Sequence, residues 1–120
     1  MTTPATPATV VESQDDVVVI RVQVTDLSEA HTKAVQAEVN AAAAAFPALP
    51  FILDLARVKF LPSLTLGAMV RLGQSFRARN QRLLLVGLQP TIRQVLTITK
   101  LDRMFEIHDD VDAALRATRP

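Results

Sequence analysis

FILDLARVKFLPSLTLGAMVRLGQSFRARNQRLLLV, residues 51–86, is the stretch on which the fold turns. Its first five residues, Phe51 to Leu55, are a short apolar strand. The segment Ser63 to Asn80 has a helical period and puts Leu64, Ala68, Met69, Leu72 and Phe76 on one broad apolar face. Asn80 suits the left-handed residue that ends such a helix. Leu83 to Val86 is a second continuous apolar strand. A strand, a helix and a strand in succession make a crossover unit, and repeated alternation of this kind gives a mostly parallel sheet with helices packed on it.

The pattern extends in both directions. Upstream, Val17 to Val24 (VVVIRVQV) starts as a β-branched run and ends in alternation, a strand buried at one end and half-exposed at the other. A weaker strand near Thr9 to Ser13 precedes it, with Gln14-Asp15-Asp16 as the hairpin turn. Asp26 and Glu29 have the spacing of a capping box with Asp in the cap position. Val35, Val39, Ala42 and Phe46 then recur at helical spacing until Pro47 and Pro50 end the helix. Downstream, Pro90 opens a helix carrying Ile92, Val95, Leu96 and Thr99 on one face. Met104 to Ile107 reads as a strand. Asp109 and Asp110 lead a final helix with Val111, Ala114 and Leu115, and Arg116 and Arg119 complement the dipole at its end. The expected fold is therefore α/β: a mixed sheet, mostly parallel with an antiparallel N-terminal strand, and about four helices on one face or both.

A chain of 120 residues, 49% of them hydrophobic, can build one real core. Residues 1–10 (MTTPATPATV) are expected to form a disordered tail and residues 11–120 a single domain. No basic and apolar leader opens the sequence, and no apolar run nears the ~18 residues of a membrane span. The formal charge of +1 gives no drive toward nucleic acid or an anionic membrane. Cysteine is absent, which excludes disulfides and suits a reducing cytoplasm.

The sequence offers little for catalysis. His31 and His108 have no further ligand at metal spacing, so neither a metal nor a cofactor is expected. Gly67, Gly73 and Gly87 stand alone rather than in a phosphate loop, and no serine sits in a nucleophile elbow. Asp54 ends a strand, where α/β folds place functional carboxylates. A turn cap or a pairing with Arg57 explains it more simply. Arg71, Arg77, Arg79 and Arg82 cluster around one helix end, where cations already have a reason to be. The stretch Phe60-Leu61-Pro62-Ser63-Leu64-Thr65-Leu66-Gly67 is more distinctive. By itself it reads as a helix start, with Pro62 near the first position and Ser63 as cap or first-turn residue. A phosphate on Ser63 would meet free N–H groups and a favourable dipole there.

At this stretch the chain resembles the STAS domains of bacterial anti-sigma factor antagonists. In that family an apolar strand ending in Asp leads to a Phe-apolar-Asp-Ser-Ser-Gly-Leu-Gly signature. Here the strand is FILDLARV and the signature region is Phe60 to Gly67. Leu83 to Pro90 resembles the family's next strand and proline-opened helix, Thr99 to Ile107 its helix end and last strand, and Asp110, Ala113, Ala114 and Leu115 its final helix. The resemblance runs from Val17 to Ala117. It implies a protein-binding module, not an enzyme, whose partner is a serine-kinase anti-sigma factor. It also implies that Ser63 is the phosphoacceptor, with Thr65 as backup, and that Asp26, Leu61, Pro62, Ser63, Leu64 and Thr65 meet the partner. Pro62 stands where the family has Asp, Leu64 where it has Ser, and Thr65 where it has Gly. The alternative is a STAS subunit of a larger assembly, a stressosome-like scaffold or an accessory subunit of a lipid transporter, that is never phosphorylated.

Overall fold

The computed structural model describes residues 7–14 and 16–119. Five strands form one sheet in the order in which they occur: β1 (Thr9–Gln14), β2 (Val17–Val22), β3 (Phe51–Asp54), β4 (Leu83–Val86) and β5 (Glu106–His108). β1 pairs antiparallel with β2, and every later neighbour is parallel. The helices are α1 (Glu29–Ala45), α2 (Ser63–Ala78), α3 (Pro90–Ile98) and α4 (Val111–Thr118). The mixed sheet and four helices match the expected class.

The sheet order settles which face the helices take. Three successive crossovers that step the same way across the sheet, with the right hand that parallel crossovers take, leave their helices on the same side. Val35, Val39 and Ala43 of α1, Met69, Leu72 and Phe76 of α2, and Ile92 and Leu96 of α3 accordingly share one core with Val18, Ile20, Val22, Phe51, Leu53, Leu83 and Leu85. The alternate strand residues Val17, Val19, Ile52, Leu84 and Val86 face the other way, onto Val111, Ala114 and Leu115 of α4. Covering on both faces explains why β2, β3 and β4 contain continuous apolar runs.

Several expected boundaries move. The sheet begins before the proposed tail boundary, because Glu38 of α1 accepts the Ala8 and Thr9 N–H groups at 3.1 and 3.0 Å and the Thr9 hydroxyl at 2.6 Å. Residues 1–6 of the expected tail, and Asp15 of the hairpin turn, lie outside the described residues. β2 stops at Val22 rather than Val24. The cap of α1 is Ser28, whose hydroxyl accepts the His31 N–H, so Asp26 and Glu29 do not form the capping box. Phe46 ends α1 as an exposed residue, and Ala43 takes the buried position instead. The last strand covers Glu106–His108 rather than Met104–Ile107. Leu101–Arg103 turns as a 3-10 helix behind a left-handed Lys100, and Met104 caps that turn by donating its N–H to the Leu101 carbonyl, so the strand starts later. Asn80 is left-handed as expected, with φ 54°.

Candidate functional site

The starts of α1 and α2 lie side by side at one end of the sheet, and the chain brings them together in steps. After β3, Leu55 and Val58 are buried and anchor the loop. Asp54 Oδ1 accepts the Ala56 N–H at 3.0 Å and closes the turn. The carboxylate of Asp54 also lies 3.7 Å from Arg21, which replaces the Arg57 pairing expected from sequence. Gly87, left-handed at φ 71°, packs against this turn, where a Cβ would come within 2.9 Å of Asp54 Oδ1. Past Val58, the Lys59 N–H donates to the Thr25 carbonyl at 2.7 Å and the Leu27 N–H to the Phe60 carbonyl at 3.3 Å. Asp26 and Phe60 thus form a short parallel bridge between the two loops.

Pro62 occupies the cap position of α2, with extended φ and ψ and no side-chain hydrogen bond to the helix. Proline offers no oxygen to accept from the first-turn N–H groups, and the first turn holds no acidic residue. The positive end of the dipole is therefore left without an anionic side chain of its own. Ser63 is the first helical residue, not the cap, and it is exposed. Phe60 and Leu64 flank it, 63% and 64% exposed, while Leu61 and Pro62 are half-buried.

Two expectations are corrected here. Leu64 does not join the apolar face of α2. Residues spaced by four drift across a helix face by about 40° per step, and Leu64, the first of the row that continues through Ala68, Leu72 and Phe76, falls off its edge into water. Thr65 does not reach the surface as a backup acceptor. It is 3% exposed, and its hydroxyl donates to the Leu27 carbonyl at 2.7 Å. The Thr32 hydroxyl reaches the same carbonyl at 2.9 Å.

Asp26 stands on the neighbouring loop, half-buried. Its Oδ1 lies 2.8 Å from His31 Nδ1 and accepts the Ser28 N–H at 3.4 Å. The hydrogen bond from His31, then that from Ser28, holds the Asp26 carboxyl below its ordinary value. The same bond with Asp26 raises the His31 imidazole above its own. Spacing along the chain shows no metal partner for His31 and does not reveal this pairing. The only sign of the pair was a His in the first turn after an Asp-containing loop.

Ser63 thus lies in sequence between two large apolar side chains, Phe60 and Leu64, that are left exposed. Among the described residues no group of three or more His, Cys, Asp or Glu is placed to hold a metal. Among the described residues no helix is long and apolar enough to cross a membrane. Two basic residues beyond the other end of α2 are engaged within the fold: Arg82 forks onto Glu106 at 2.8 and 2.7 Å, and Arg79 stacks 5.1 Å from the Phe76 ring.

The sequence model of the STAS domain matches residues 8–114. The chain belongs to the STAS domain family. Among solved structures, this STAS domain is similar to an anti-sigma factor antagonist from Mycobacterium paratuberculosis, with 26% identity, 93% of each chain covered and a TM-score of 0.79. It is also similar to an anti-sigma-factor antagonist (STAS) domain protein from Planctomyces limnophilus, at 21% identity over 96% of this chain and 100% of that one, with a TM-score of 0.83. A third is the Bacillus cell fate determinant SpoIIAA in its phosphorylated form, at 21% identity over 93% of this chain and 100% of that one, with a TM-score of 0.69. At such identities the latter two establish the shared fold.

Proposed function

We propose that this STAS domain is an anti-sigma factor antagonist-like binding module in a cytoplasmic partner-switching pathway, docking through the start of α2 and switched by phosphorylation of Ser63. One observation carries the reading. An exposed serine opens an uncapped helix between two large apolar side chains that stand in water. Exposed aromatic and aliphatic residues beside a polar group are what a partner can desolvate, and they have no role in the core. Phe60, Leu61, Pro62, Ser63 and Leu64 make the centre of the docking surface, and Asp26 its neighbouring edge. Thr65 supports the surface from below.

The switch follows from charge. A phosphate adds about −1.5 to −2 charges. In the free protein that charge sits at the positive end of α2, where an anion is favoured. In a complex it must be desolvated against an apolar partner surface, which costs several kcal/mol unless a base pairs with it. A micromolar complex has only about 8 kcal/mol of binding energy in all. Similarity to an anti-sigma factor antagonist at 26% identity supports the reading. The implied partner is a serine kinase that is itself the anti-sigma factor.

Incubation with that kinase and ATP, followed by mass spectrometry of the peptide from Phe60 to Arg71, tests the proposal. One phosphate on Ser63 is expected. An unmodified peptide would leave the scaffold or transporter-subunit reading in its place.

A further inference from the structure

The Leu27 carbonyl lies just before the cap of α1, outside the helical ladder, whose bond from the Thr32 N–H goes to the Ser28 carbonyl at 2.8 Å. It is held instead by two hydroxyls. Thr65 reaches it from α2 at 2.7 Å and Thr32 from α1 at 2.9 Å, and the two hydroxyl oxygens are 3.2 Å apart. Each hydroxyl has one proton, so both protons on the carbonyl fill its two lone pairs and leave the contact between the hydroxyls without a proton. The backbone joins the same two loops with only one short bond, Lys59 to Thr25 at 2.7 Å, and one long bond, Leu27 to Phe60 at 3.3 Å.

We infer that Thr65 is a positioning residue: its hydroxyl clamps the Asp26 loop to the start of α2, so that Asp26 and the Phe60–Leu64 patch present one preformed docking surface. The inference rests on the docking reading of Ser63. Thr65 itself is buried and touches no partner. It acts by keeping the Asp26 loop in the bound arrangement beforehand, so that binding does not have to order it. A buried carbonyl that loses a donor loosens its segment by about the strength of one hydrogen bond, roughly five- to tenfold in an opening equilibrium.

The test uses the full chain as wild type, Thr65→Val and Thr65→Ser. Valine keeps the shape of threonine and removes the donor; serine keeps the donor. Hydrogen–deuterium exchange should quicken about five- to tenfold in peptides covering residues 24–28 and 58–62 of Thr65→Val. Peptides from β3 and β4 should be unchanged, and Thr65→Ser should exchange like wild type. The kinase that modifies Ser63 should bind Thr65→Val correspondingly more weakly and Thr65→Ser with the wild-type affinity. If Thr65→Val does not fold, Thr65→Ala removes the same donor with a smaller side chain and serves the same comparison. Unchanged local exchange would overturn the clamp. Faster exchange with wild-type kinase binding would overturn the positioning role and leave the docking reading standing. A wild-type chain that binds no kinase would remove the docking reading, and this inference with it.

Discussion

Leu64 and Phe76 are large apolar residues on the same helix, expected from spacing to share one face. Leu64 is 64% exposed and Phe76 is 1% exposed. Phe76 packs edge-on against Phe51 with ring centroids 5.3 Å apart, deep in the layer between sheet and helices. Leu64 sits beyond the end of that layer. The two ends of α2 thus differ in what they do with the same chemistry. The trunk uses its apolar side chains in folding, and the tip leaves its own in water, beside a serine and an uncapped dipole. The contrast teaches that composition marks which residues are apolar, whereas only the edge of the sheet decides which of them are left over.

The largest effect should come from breaking the trunk. Phe76→Ala should cost about 3–5 kcal/mol, and Leu72→Ala about 2–5 kcal/mol. For a domain of this size either should lower Tm by roughly ten degrees or more, as thermal denaturation followed by circular dichroism will read. A melting curve that does not move would mean the trunk is not core.

Next in size is the start of α4, the capped counterpart of the start of α2. Asp110 accepts the Ala113 N–H at 2.8 Å, and Asp112 adds an acid to the first turn. Asp110→Ala should cost about 0.5–2 kcal/mol in chemical denaturation. Pro62→Ala at α2 removes no cap oxygen and should cost less than Asp110→Ala. A larger loss at Pro62 would contradict the description of that end as uncapped.

At the tip, Leu64→Ala should change stability by no more than about 0.5 kcal/mol, as exposed positions do. Its affinity for the kinase should nevertheless fall about tenfold, because truncating a central interface anchor typically costs more than about 1 kcal/mol. Calorimetric titration beside a denaturant curve separates the two. A loss of stability without a loss of affinity would return Leu64 to the core.

The smallest effect concerns the Asp26–His31 pair. His31 is raised, so its stabilising contribution is full below the unfolded histidine value and is lost as pH climbs through the folded one. Asp26 is lowered, so its contribution is present above the unfolded carboxylate value and is lost as pH falls through the folded one. The pair therefore stabilises the loop most in the mildly acidic window between them. NMR titration should place His31 above its ordinary value, and Asp26→Asn should bring it back down. A His31 indifferent to that substitution would dissolve the pair.

The sheet and the helices were legible because burial imposes periods on sequence. The runs Val17 to Ile20 and Leu83 to Val86 are unbroken because both faces of their strands are covered, and Asn80 and Asp110 stand where helix ends need them. The strand β5 was displaced because Phe105 is buried without belonging to any periodic run, and the 3-10 turn before it has no strong signal. At the site, Ser63 and its apolar neighbours were readable from their order along the chain. The roles of Leu64 and Thr65 were not. Which of two adjacent residues turns inward depends on where the sheet ends, and the acceptor of the Thr65 hydroxyl is a carbonyl far away in sequence. The link between Asp26 and His31 was hidden for a related reason, because Ser28 rather than Asp26 caps α1.

The most direct measurement is the affinity of Ser63→Asp for the kinase partner, taken together with its melting temperature. The carboxylate should weaken binding by about a hundredfold or more, about 2.7 kcal/mol, while Tm stays within about two degrees of wild type, since a helix N-terminus accepts an anion. A Ser63→Asp chain that binds the kinase as tightly as wild type would contradict the proposal that the start of α2 is the switch.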